Sequence, residues 1–249
     1  PISYVNSVVG SELCPLGIAK QFTINHHGEI IEKSRACHDH TFASFPSGQS
    51  LNLRTDKSSL EPCQYGQALR RVLHHIHFLR LAHPTIPIVV SKTDLDAAYR
   101  RMHPIWSLAV MCISIIGSLA YLLLRLPFGA AAAPAEFRIA SEVVCDVANC
   151  LLDDESWEPK HTNTPYHDLM PPPIISSDSI PFAPALPLNV KPPGGWPSPA
   201  KCDVYIDDLI TVGLYLPRLI ARLLLAPAVA IHAVFRPLHS SEKQTRAHV

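Results

Sequence analysis

Two adjacent carboxylates, Asp207 and Asp208, interrupt an otherwise apolar stretch, residues 202–212, whose sequence is CDVYIDDLITV. The residues on either side favour two short strands that are joined at the aspartates. Like charges that lose hydration repel each other, so the pair is unfavourable unless a cation or hydrogen bonds compensate it. The pattern therefore predicts a hairpin turn that presents both carboxylates to a bound divalent metal ion.

A third carboxylate of this kind, Asp94, ends the apolar segment IPIVVSKTD and precedes Asp207 by 113 positions. Carboxylates at the ends of two neighbouring strands can hold two divalent cations, which stabilise the attacking and leaving oxygens of a phosphoryl displacement. Asp96, two residues further on, is interpreted as a bystander. The position of these carboxylates at strand ends is consistent with a metal-dependent phosphoryl-transfer site.

The composition favours a globular domain without an overall charge bias. The chain has 249 residues, with 21 basic and 21 acidic side chains, and so carries no global signature of nucleic-acid binding. Its seven cysteines are odd in number and form no C-x-x-C pair. We interpret them as thiols in a reducing compartment, the cytoplasm or nucleus, rather than as the disulfide framework of a secreted protein. The first residue, Pro1, suggests a fragment or a processed piece.

Hydrophobic periodicity indicates the helices that must support the site. Residues 61–82 are predicted to form a helix that Pro84 and Pro87 end. Two further helices are predicted, one that opens at Pro134 and one over residues 217–233. The apolar face expected for the first helix consists of Leu69, Val72, Leu73, Ile76 and Leu79.

Two segments are unusual in composition. Residues 104–124 are long and uncharged enough for a membrane-spanning helix, but Gly117 and Ser118 at the centre favour a turn between two buried strands. Residues 153–200 hold half of the chain's 24 prolines and are predicted to be an irregular insertion.

The histidines carry a weaker signal. His74 and His77 lie at i and i+3 of the first predicted helix, a spacing that can bind zinc. No further ligand pair with matching spacing accompanies them. Partly exposed helix histidines are therefore the favoured interpretation.

Four short motifs follow one another in an order that resembles the reverse transcriptases of retroelements. YIDD, residues 205–208, resembles the family's Y-x-D-D motif, and TDLDAAYRRMH, residues 93–103, resembles its strand-end aspartate motif. LPFGAAAAPAEF, residues 126–137, is similar to the LPFG motif of LTR-type and related retrotransposons, and KSRACHD, residues 33–39, resembles the fingers segment. The joint occurrence of the four is far more specific than any one of them.

The resemblance implies roles for eight residues. Asp94, Asp207 and Asp208 would bind two Mg²⁺ ions, or Mn²⁺, with Asp208 as the weaker ligand. Basic residues of the fingers motif would contact the incoming triphosphate, the aromatic residue after Asp94 would exclude a 2′-hydroxyl, and the LPFG residues would line the nucleotide pocket. These nucleotide-binding residues are Lys33, Arg35, Tyr99, Phe128 and Gly129.

The fold class that the resemblance implies is α+β. It is a reverse-transcriptase-like palm, an antiparallel sheet backed by helices, with partial fingers and no complete thumb. The expected segments are partial fingers with a connecting helix at 1–87, the first part of the palm at 88–152, the proline-rich insertion at 153–200, the second part of the palm at 201–236 and a polar tail at 237–249.

The implied function is RNA-directed DNA polymerase activity. Its partners would be an RNA or DNA template with a primer, and deoxynucleoside triphosphates; no membrane is expected, and the sequence assigns no oligomeric state. Two alternatives stay open at this point. One is a truncated, catalytically inactive retroelement remnant that keeps a nucleic-acid-binding palm. The other is a small membrane protein built on residues 104–124, which predicts detergent-dependent solubility.

Overall fold

The chain folds into antiparallel sheets backed by helices, which confirms the predicted α+β fold class. The computed structural model has two units: unit 1 comprises Pro1–Pro62 and Ala98–Phe137, and unit 2 comprises Cys63–Ala97 and Arg138–Val249. The residues that the structure describes are 2–25, 27–43, 48–60, 62, 65–95, 97–162, 198–235 and 245–248.

The regular elements are short in unit 1 and longer in unit 2. The strands are β1 (Leu16–Ile24), β2 (Ile30–His38), β3 (Ile88–Leu95), β4 (Ile113–Ile116), β5 (Leu119–Leu122), β6 (Ala200–Tyr205), β7 (Asp208–Leu214) and β8 (Thr245–His248). The helices are α1 (Leu51–Arg54), α2 (Ala68–Ala82), α3 (Trp106–Ala109), α4 (Ala133–Asp153) and α5 (Pro217–Val234).

In unit 1, β1 and β2 form a two-stranded antiparallel ribbon in which no residue is buried. The Asn25 side chain shapes its turn, since Oδ1 accepts hydrogen bonds from the backbone N–H groups of His27 and Glu29, both at 2.9 Å. An isolated ribbon of two strands is only marginally stable in water. The ribbon is therefore a weakly supported element.

The apolar stretch at 104–124 forms the short helix α3 followed by the β4–β5 hairpin, with Gly117 in the turn at φ +62°. The predicted turn is confirmed. The prediction that both strands are buried is confirmed only for the start of β4, where Ile113 and Ser114 are buried, and is wrong for Ile116, Leu119 and Tyr121, which are about half exposed. Hydrophobicity alone therefore does not show which residues of an apolar stretch are buried.

Unit 2 is organised around a four-stranded antiparallel sheet in the order β6-β7-β3-β8. Val212 of β7 lies against Val72 and His75 of α2, whereas the next residue, Gly213, faces Leu223 of α5. Because successive strand residues point to opposite faces, α2 and α5 cover opposite faces of this sheet. The three strands β6, β7 and β3 therefore have a layer on each side.

Helix α2 confirms the predicted helix but begins at Ala68 rather than at residue 61. Its buried residues are Ala68, Val72, His75 and Leu79, while Leu69 and Leu73 of the expected apolar face are exposed. The expected face is therefore confirmed at Val72 and Leu79 and wrong at Leu69 and Leu73. His75 was missed because an imidazole counts as polar in hydrophobic periodicity.

Helix α5 packs against β7 at a point of close approach. A Cβ atom added to Gly213 would stand 2.8 Å from Leu223 Cδ1 and 3.1 Å from the Pro199 carbonyl oxygen. Within the described residues, α5 is the helix that is long and apolar enough to cross a membrane by length and composition, and 56% of its apolar window is buried. A core helix under a sheet meets the same criterion, and α5 packs as one.

Helix α4 protects the outer edge of β6. The Asn149 amide donates to the Cys202 carbonyl at 3.0 Å, and Asn149 Oδ1 accepts from the Cys202 N–H at 2.8 Å. Both backbone groups of an edge residue are thereby satisfied, which removes a site for strand addition. Most of the predicted irregular insertion, residues 163–197, lies outside the described residues.

At its other edge the sheet continues into β8, which pairs with β3 in antiparallel register from Lys92↔His248 to Leu95↔Thr245. The sequence predicts only a polar tail for this segment.

Candidate functional site

The YIDD segment forms a tight hairpin between β6 and β7. Tyr205 ends β6, Asp208 begins β7, and Ile206 in the turn has φ +59°. A positive φ is strained for a β-branched residue and costs about 1–3 kcal/mol, so the surrounding sheet must impose it. The Leu95 N–H donates to the Asp207 carbonyl at 3.2 Å and ties the turn to the end of β3.

The third carboxylate reaches the same place through the sheet. Asp94 of β3 lies directly opposite Asp208 of β7 in the antiparallel register. Side chains of directly opposed residues project to the same face of a sheet. Asp94 and Asp207 are 113 positions apart in the sequence, but both lie at the same end of this sheet.

The pKa of Asp207 reflects the negative charge of the neighbouring carboxylates at this end of the sheet. Burial raises the pKa of the Asp207 carboxyl, and the neighbouring charges of Asp208 and Asp94 raise it further. The positive charge of Lys92 has the opposite effect and lowers the pKa of Asp207. Its ammonium stands 2.9 Å from an Asp208 carboxylate oxygen, and this contact raises the pKa of Lys92.

A divalent cation fits this end of the sheet in donor type and in charge. Mg²⁺ and Mn²⁺ prefer carboxylate oxygens, and a cation would relieve the repulsion felt by Asp207. With the side chains as they are placed, no three His, Cys, Asp or Glu residues among the described ones form a group that could hold a metal ion. The three carboxylates Asp94, Asp207 and Asp208 thus lie at one end of the sheet without forming such a group.

An aromatic pair supports the hairpin from the side. Tyr205 is about half exposed, and its ring meets the ring of Tyr65 edge-on, with 5.4 Å between centroids. Such T-shaped pairs contribute about 0.5–1.5 kcal/mol beyond their buried area. Sequence analysis missed Tyr65, because nothing in its local pattern indicates a partner in a strand far along the chain.

The predicted triphosphate contacts lie on the β1–β2 ribbon of unit 1. Lys33 and Arg35 are two residues apart in β2, so they share one face of the ribbon, and both are exposed. The opposite face carries Phe22 and Ile24, each 70% exposed, together with the ion pair of Lys20 and Glu32. One face of the ribbon thus presents Lys33 and Arg35, and the other mixes apolar and charged side chains.

Tyr99 and Phe128, both of unit 1, contact each other. Their rings are 5.7 Å apart in an edge-to-face arrangement, and Tyr99 also lies 5.1 Å from the buried ring of Phe137. Phe128 itself is 65% exposed. Tyr99 therefore joins the LPFG loop to the first turn of α4.

Gly129 occupies a backbone position that only glycine adopts easily, with φ +99°. A Cβ atom there would stand 3.3 Å from the His38 carbonyl oxygen. The loop is held by Asn52, whose amide donates to the Gly129 carbonyl at 3.1 Å and whose Oδ1 accepts from the Ala131 N–H at 2.7 Å. Asn52 was not singled out from the sequence, because its partners lie far along the chain.

The histidine pair of α2 does not form a site. His74 and His77 are exposed, as expected, whereas His75 between them is buried against the sheet. Burial, and to a lesser extent the charge of Lys201, lowers the pKa of His75 to about 4. The described cysteines, Cys63 being outside them, are free thiols.

The structure therefore brings together Asp94, Asp207 and Asp208 within unit 2, and Tyr99, Phe128 and Gly129 within unit 1. Asp96 lies outside the described residues. Lys92 was missed as a member of the carboxylate group, although its position two residues before Asp94 puts both side chains on one face of β3. Comparisons of the chain with known protein families, with curated proteins and with solved structures found no match.

Proposed function

We propose that the chain is the RNA-directed DNA polymerase domain of a retroelement, which adds deoxynucleotides to a primer 3′-hydroxyl. The observation that carries the proposal is the pairing of Asp94 with Asp208 at the end of the β3–β7 ladder, beside Asp207. Sequence motifs that resemble those of reverse transcriptases supply these three residues, and the fold brings them to one place. In this proposal the sheet of unit 2 is the polymerase palm.

The residues of unit 2 supply charge and position. Bound divalent cations, Mg²⁺ or Mn²⁺, would activate the primer hydroxyl and neutralise the charge that develops on the leaving pyrophosphate. Asp94 and Asp207 would hold the cations, and Asp208 would be the weaker ligand because Lys92 already pairs with it. The layers of α2 and α5 keep the sheet, and hence the carboxylates, in a fixed register.

The residues of unit 1 would bind the nucleotide. Lys33 and Arg35 are exposed cations on one face of the ribbon and suit contact with triphosphate oxygens. Tyr99 would exclude a 2′-hydroxyl, and Phe128 and Gly129 would line the pocket. The glycine at 129, which adds no side-chain atoms to the loop, and the hydrogen bonds by which Asn52 fixes the loop backbone support the last role.

The partners would be an RNA template and a DNA primer. Backbone contacts and the A-like shape of the hybrid would provide most of the affinity, because the chain has no overall positive charge. The basic face of the ribbon is one local source of such contacts. In this proposal the protein acts inside the cell, in the cytoplasm or nucleus.

The test is incorporation of labelled deoxythymidine triphosphate on a poly(rA)/oligo(dT) primer-template, with and without Mg²⁺. We expect Mg²⁺-dependent incorporation by the native chain and a loss of at least about a hundredfold in Asp207→Asn, which keeps the size of the side chain. A folded native chain that incorporates no more label than Asp207→Asn would reject the polymerase proposal. That outcome would favour the inactive-remnant alternative, for which the Lys92–Asp208 ion pair is the supporting observation.

A further inference from the structure

The base of the β1–β2 ribbon in unit 1 holds a buried cysteine opposite a buried histidine. The Asp39 N–H donates to the Pro15 carbonyl at 2.9 Å and continues the antiparallel pairing of the two strands. In this register Cys14 stands opposite His40, and directly opposed side chains project to the same face. Cys14 Sγ accordingly lies 3.3 Å from His40 Nδ1.

A second thiol is held beside this pair by the start of β4. The Cys14 N–H donates to the Ile113 carbonyl at 2.7 Å, and the Cys14 carbonyl accepts from the Ser114 hydroxyl at 2.9 Å. The residue before them, Cys112, is 1% exposed, and its thiol forms a hydrogen bond with the Cys14 sulfur. Two cysteines that are far apart in the sequence are therefore neighbours in unit 1.

The ring of His40 is fixed in place but incompletely hydrogen-bonded. It is buried and stacks on the ring of His38, with 5.8 Å between centroids. Its Nε2 atom is buried and has no hydrogen-bond partner among the described residues. A buried nitrogen without a partner is unfavourable for stability, and redox and catalytic sites are among the places where such groups occur.

The contacts make the two thiols chemically unequal. The hydrogen bond from Cys112, followed by the hydrogen bond and charge of His40, lowers the pKa of Cys14, although burial opposes this effect. The same hydrogen bond, together with burial, raises the pKa of Cys112. Glu12 also opposes ionisation of Cys14, but its carboxylate is paired with Arg54. Cys14 is therefore the nucleophilic sulfur of the pair.

We infer that Cys14, His40 and Cys112 form a site of reversible oxidation by hydrogen peroxide. The Cys14 thiol gives its proton to His40, and the thiolate attacks one peroxide oxygen. The O–O bond breaks, and the leaving hydroxide takes up that proton as water, which leaves a sulfenic acid on Cys14. The Cys112 sulfur then attacks the Cys14 sulfur, and the second hydroxide leaves with the Cys112 proton. Two thiols and one peroxide thus yield one disulfide and two water molecules.

The burial of the site selects a small oxidant. Cys14 is 6% exposed and Cys112 is 1% exposed, so hydrogen peroxide, which is little larger than water, meets Cys14 first. The site also lies at the base of a weakly supported ribbon, and local opening of such an element exposes its base. The inference does not depend on the proposed polymerase activity.

The experiment oxidises the purified full chain with hydrogen peroxide and maps its tryptic peptides by mass spectrometry, with dimedone present to trap sulfenic acid. The native chain should form a Cys14–Cys112 disulfide that dithiothreitol reverses. Cys112→Ser keeps a hydrogen-bond donor but forms no disulfide. It should accumulate at least about fivefold more dimedone adduct at Cys14 than the native chain.

His40 is a positioning residue, and the pH profile of Cys14 alkylation by iodoacetamide tests its role. In the native chain the midpoint of this profile should lie at least about one pH unit below the ordinary thiol pKa of about 8.5. His40→Gln removes the imidazole and keeps a polar side chain, and it should raise the midpoint by about one pH unit. A purely structural role would change the rate of alkylation without moving the midpoint.

Cys145 and Cys202 of unit 2 are the matched control within the same chain. Cys202 is also 1% exposed, and its hydrogen bond with the Cys145 thiol raises its pKa. Cys145 Sγ donates to the Cys202 carbonyl at 3.3 Å. We expect neither a disulfide nor a dimedone adduct at this pair under conditions that oxidise Cys14.

Oxidation of Cys202 as fast as that of Cys14 would overturn the inference. A folded native chain with neither a disulfide nor a dimedone adduct at Cys14 would overturn it as well, as would a Cys14 alkylation midpoint at or above about pH 8.5. Sulfenic acid without a disulfide in the native chain would reject the role of Cys112. Equal midpoints in the native chain and His40→Gln would reject the role of His40.

Discussion

The β1–β2 ribbon and the β6-β7-β3 sheet both carry residues with a proposed chemical role, but they support them in opposite ways. No residue of β1 or β2 is buried, whereas Leu209, Val212 and Leu214 of β7 are each 1% exposed. Asp208 thus begins a strand that is packed on both faces, and Asp94 ends the neighbouring strand β3. The cations Lys33 and Arg35 lie on a solvated hairpin.

The difference agrees with what the proposed function would require of each group. Carboxylates that share cations must keep their separation to within about 0.5 Å, which requires locked neighbours. A lysine or arginine that neutralises phosphate charge acts over a longer range and tolerates a mobile side chain. The comparison predicts that perturbations of the sheet are strongly destabilising and that equivalent perturbations of the ribbon are nearly neutral.

The largest effect is expected from the ion pair that fixes α2 to β6. Arg71 Nε and Nη2 donate to the two carboxylate oxygens of Asp203, both at 2.6 Å, and the Asp203 side chain is only 7% exposed. Asp203→Ala should lower the free energy of unfolding by about 2 kcal/mol, less than for a fully buried pair because Arg71 is 41% exposed. Urea denaturation of the full chain measures it.

The matched change on the ribbon is Glu32→Ala. Glu32 pairs with Lys20 at 2.9 Å, but both side chains are well exposed. Screening by water limits such a pair to about 0.5 kcal/mol. Equal destabilisation by Glu32→Ala and Asp203→Ala would break the comparison between the two regions.

A somewhat smaller effect is expected at the contact between β7 and α5. Gly213→Ala places a methyl group 2.8 Å from Leu223 Cδ1, whose rotation can relieve part of the clash, and 3.1 Å from the fixed Pro199 carbonyl oxygen. We expect a loss of about 1.5 kcal/mol, the cost typical of overpacking. Gly17→Ala in β1, with nothing near the added Cβ, is the control and should be within about 0.5 kcal/mol of the native chain. Thermal unfolding followed by circular dichroism distinguishes the two outcomes.

A further effect is absent at neutral pH and develops only on acidification. Burial lowers the pKa of His75 to about 4, below its ordinary value of 6.5, so the folded state takes up its proton less readily than the unfolded state. The stabilisation from neutral His75 is complete above about pH 6.5 and is lost as the pH falls toward about 4. The slope is at most about 1.4 kcal/mol per pH unit.

The substitution His75→Leu should flatten this part of the stability profile, measured by urea denaturation at a series of pH values. His74→Leu, on the exposed side of α2, should leave the slope unchanged. Identical slopes in the native chain and in His75→Leu would contradict the burial of the imidazole.

Local features of the sequence were enough to predict the elements near the site. The strands around YIDD and before Asp94 are visible in the apolar pattern of neighbouring residues, and the start of α4 is marked by a proline. The antiparallel pairing of Asp94 with Asp208 is a long-range consequence of the fold, and the position of both residues at strand ends, together with the resemblance to a family, suggests that the two lie together.

The features that sequence analysis missed depend on partners distant along the chain. His75 is buried because α2 meets the sheet through Val212, and Asp203 is tolerated in the interior because Arg71 reaches it. Lys92 matters because its partner is Asp208. The periodicity of a single sequence does not show such pairs, because each partner taken alone looks like a surface residue.

The most direct test of the account replaces Asp94, because only the fold brings this residue to the YIDD turn. Primer extension with Mg²⁺ should fall by at least about a hundredfold in Asp94→Asn, while Asp146→Asn, an exposed position on α4, should retain native activity. Both proteins should unfold at native or higher temperature. Equal primer extension by Asp94→Asn and the native chain would contradict the claim that the end of the β3–β7 ladder is the catalytic site.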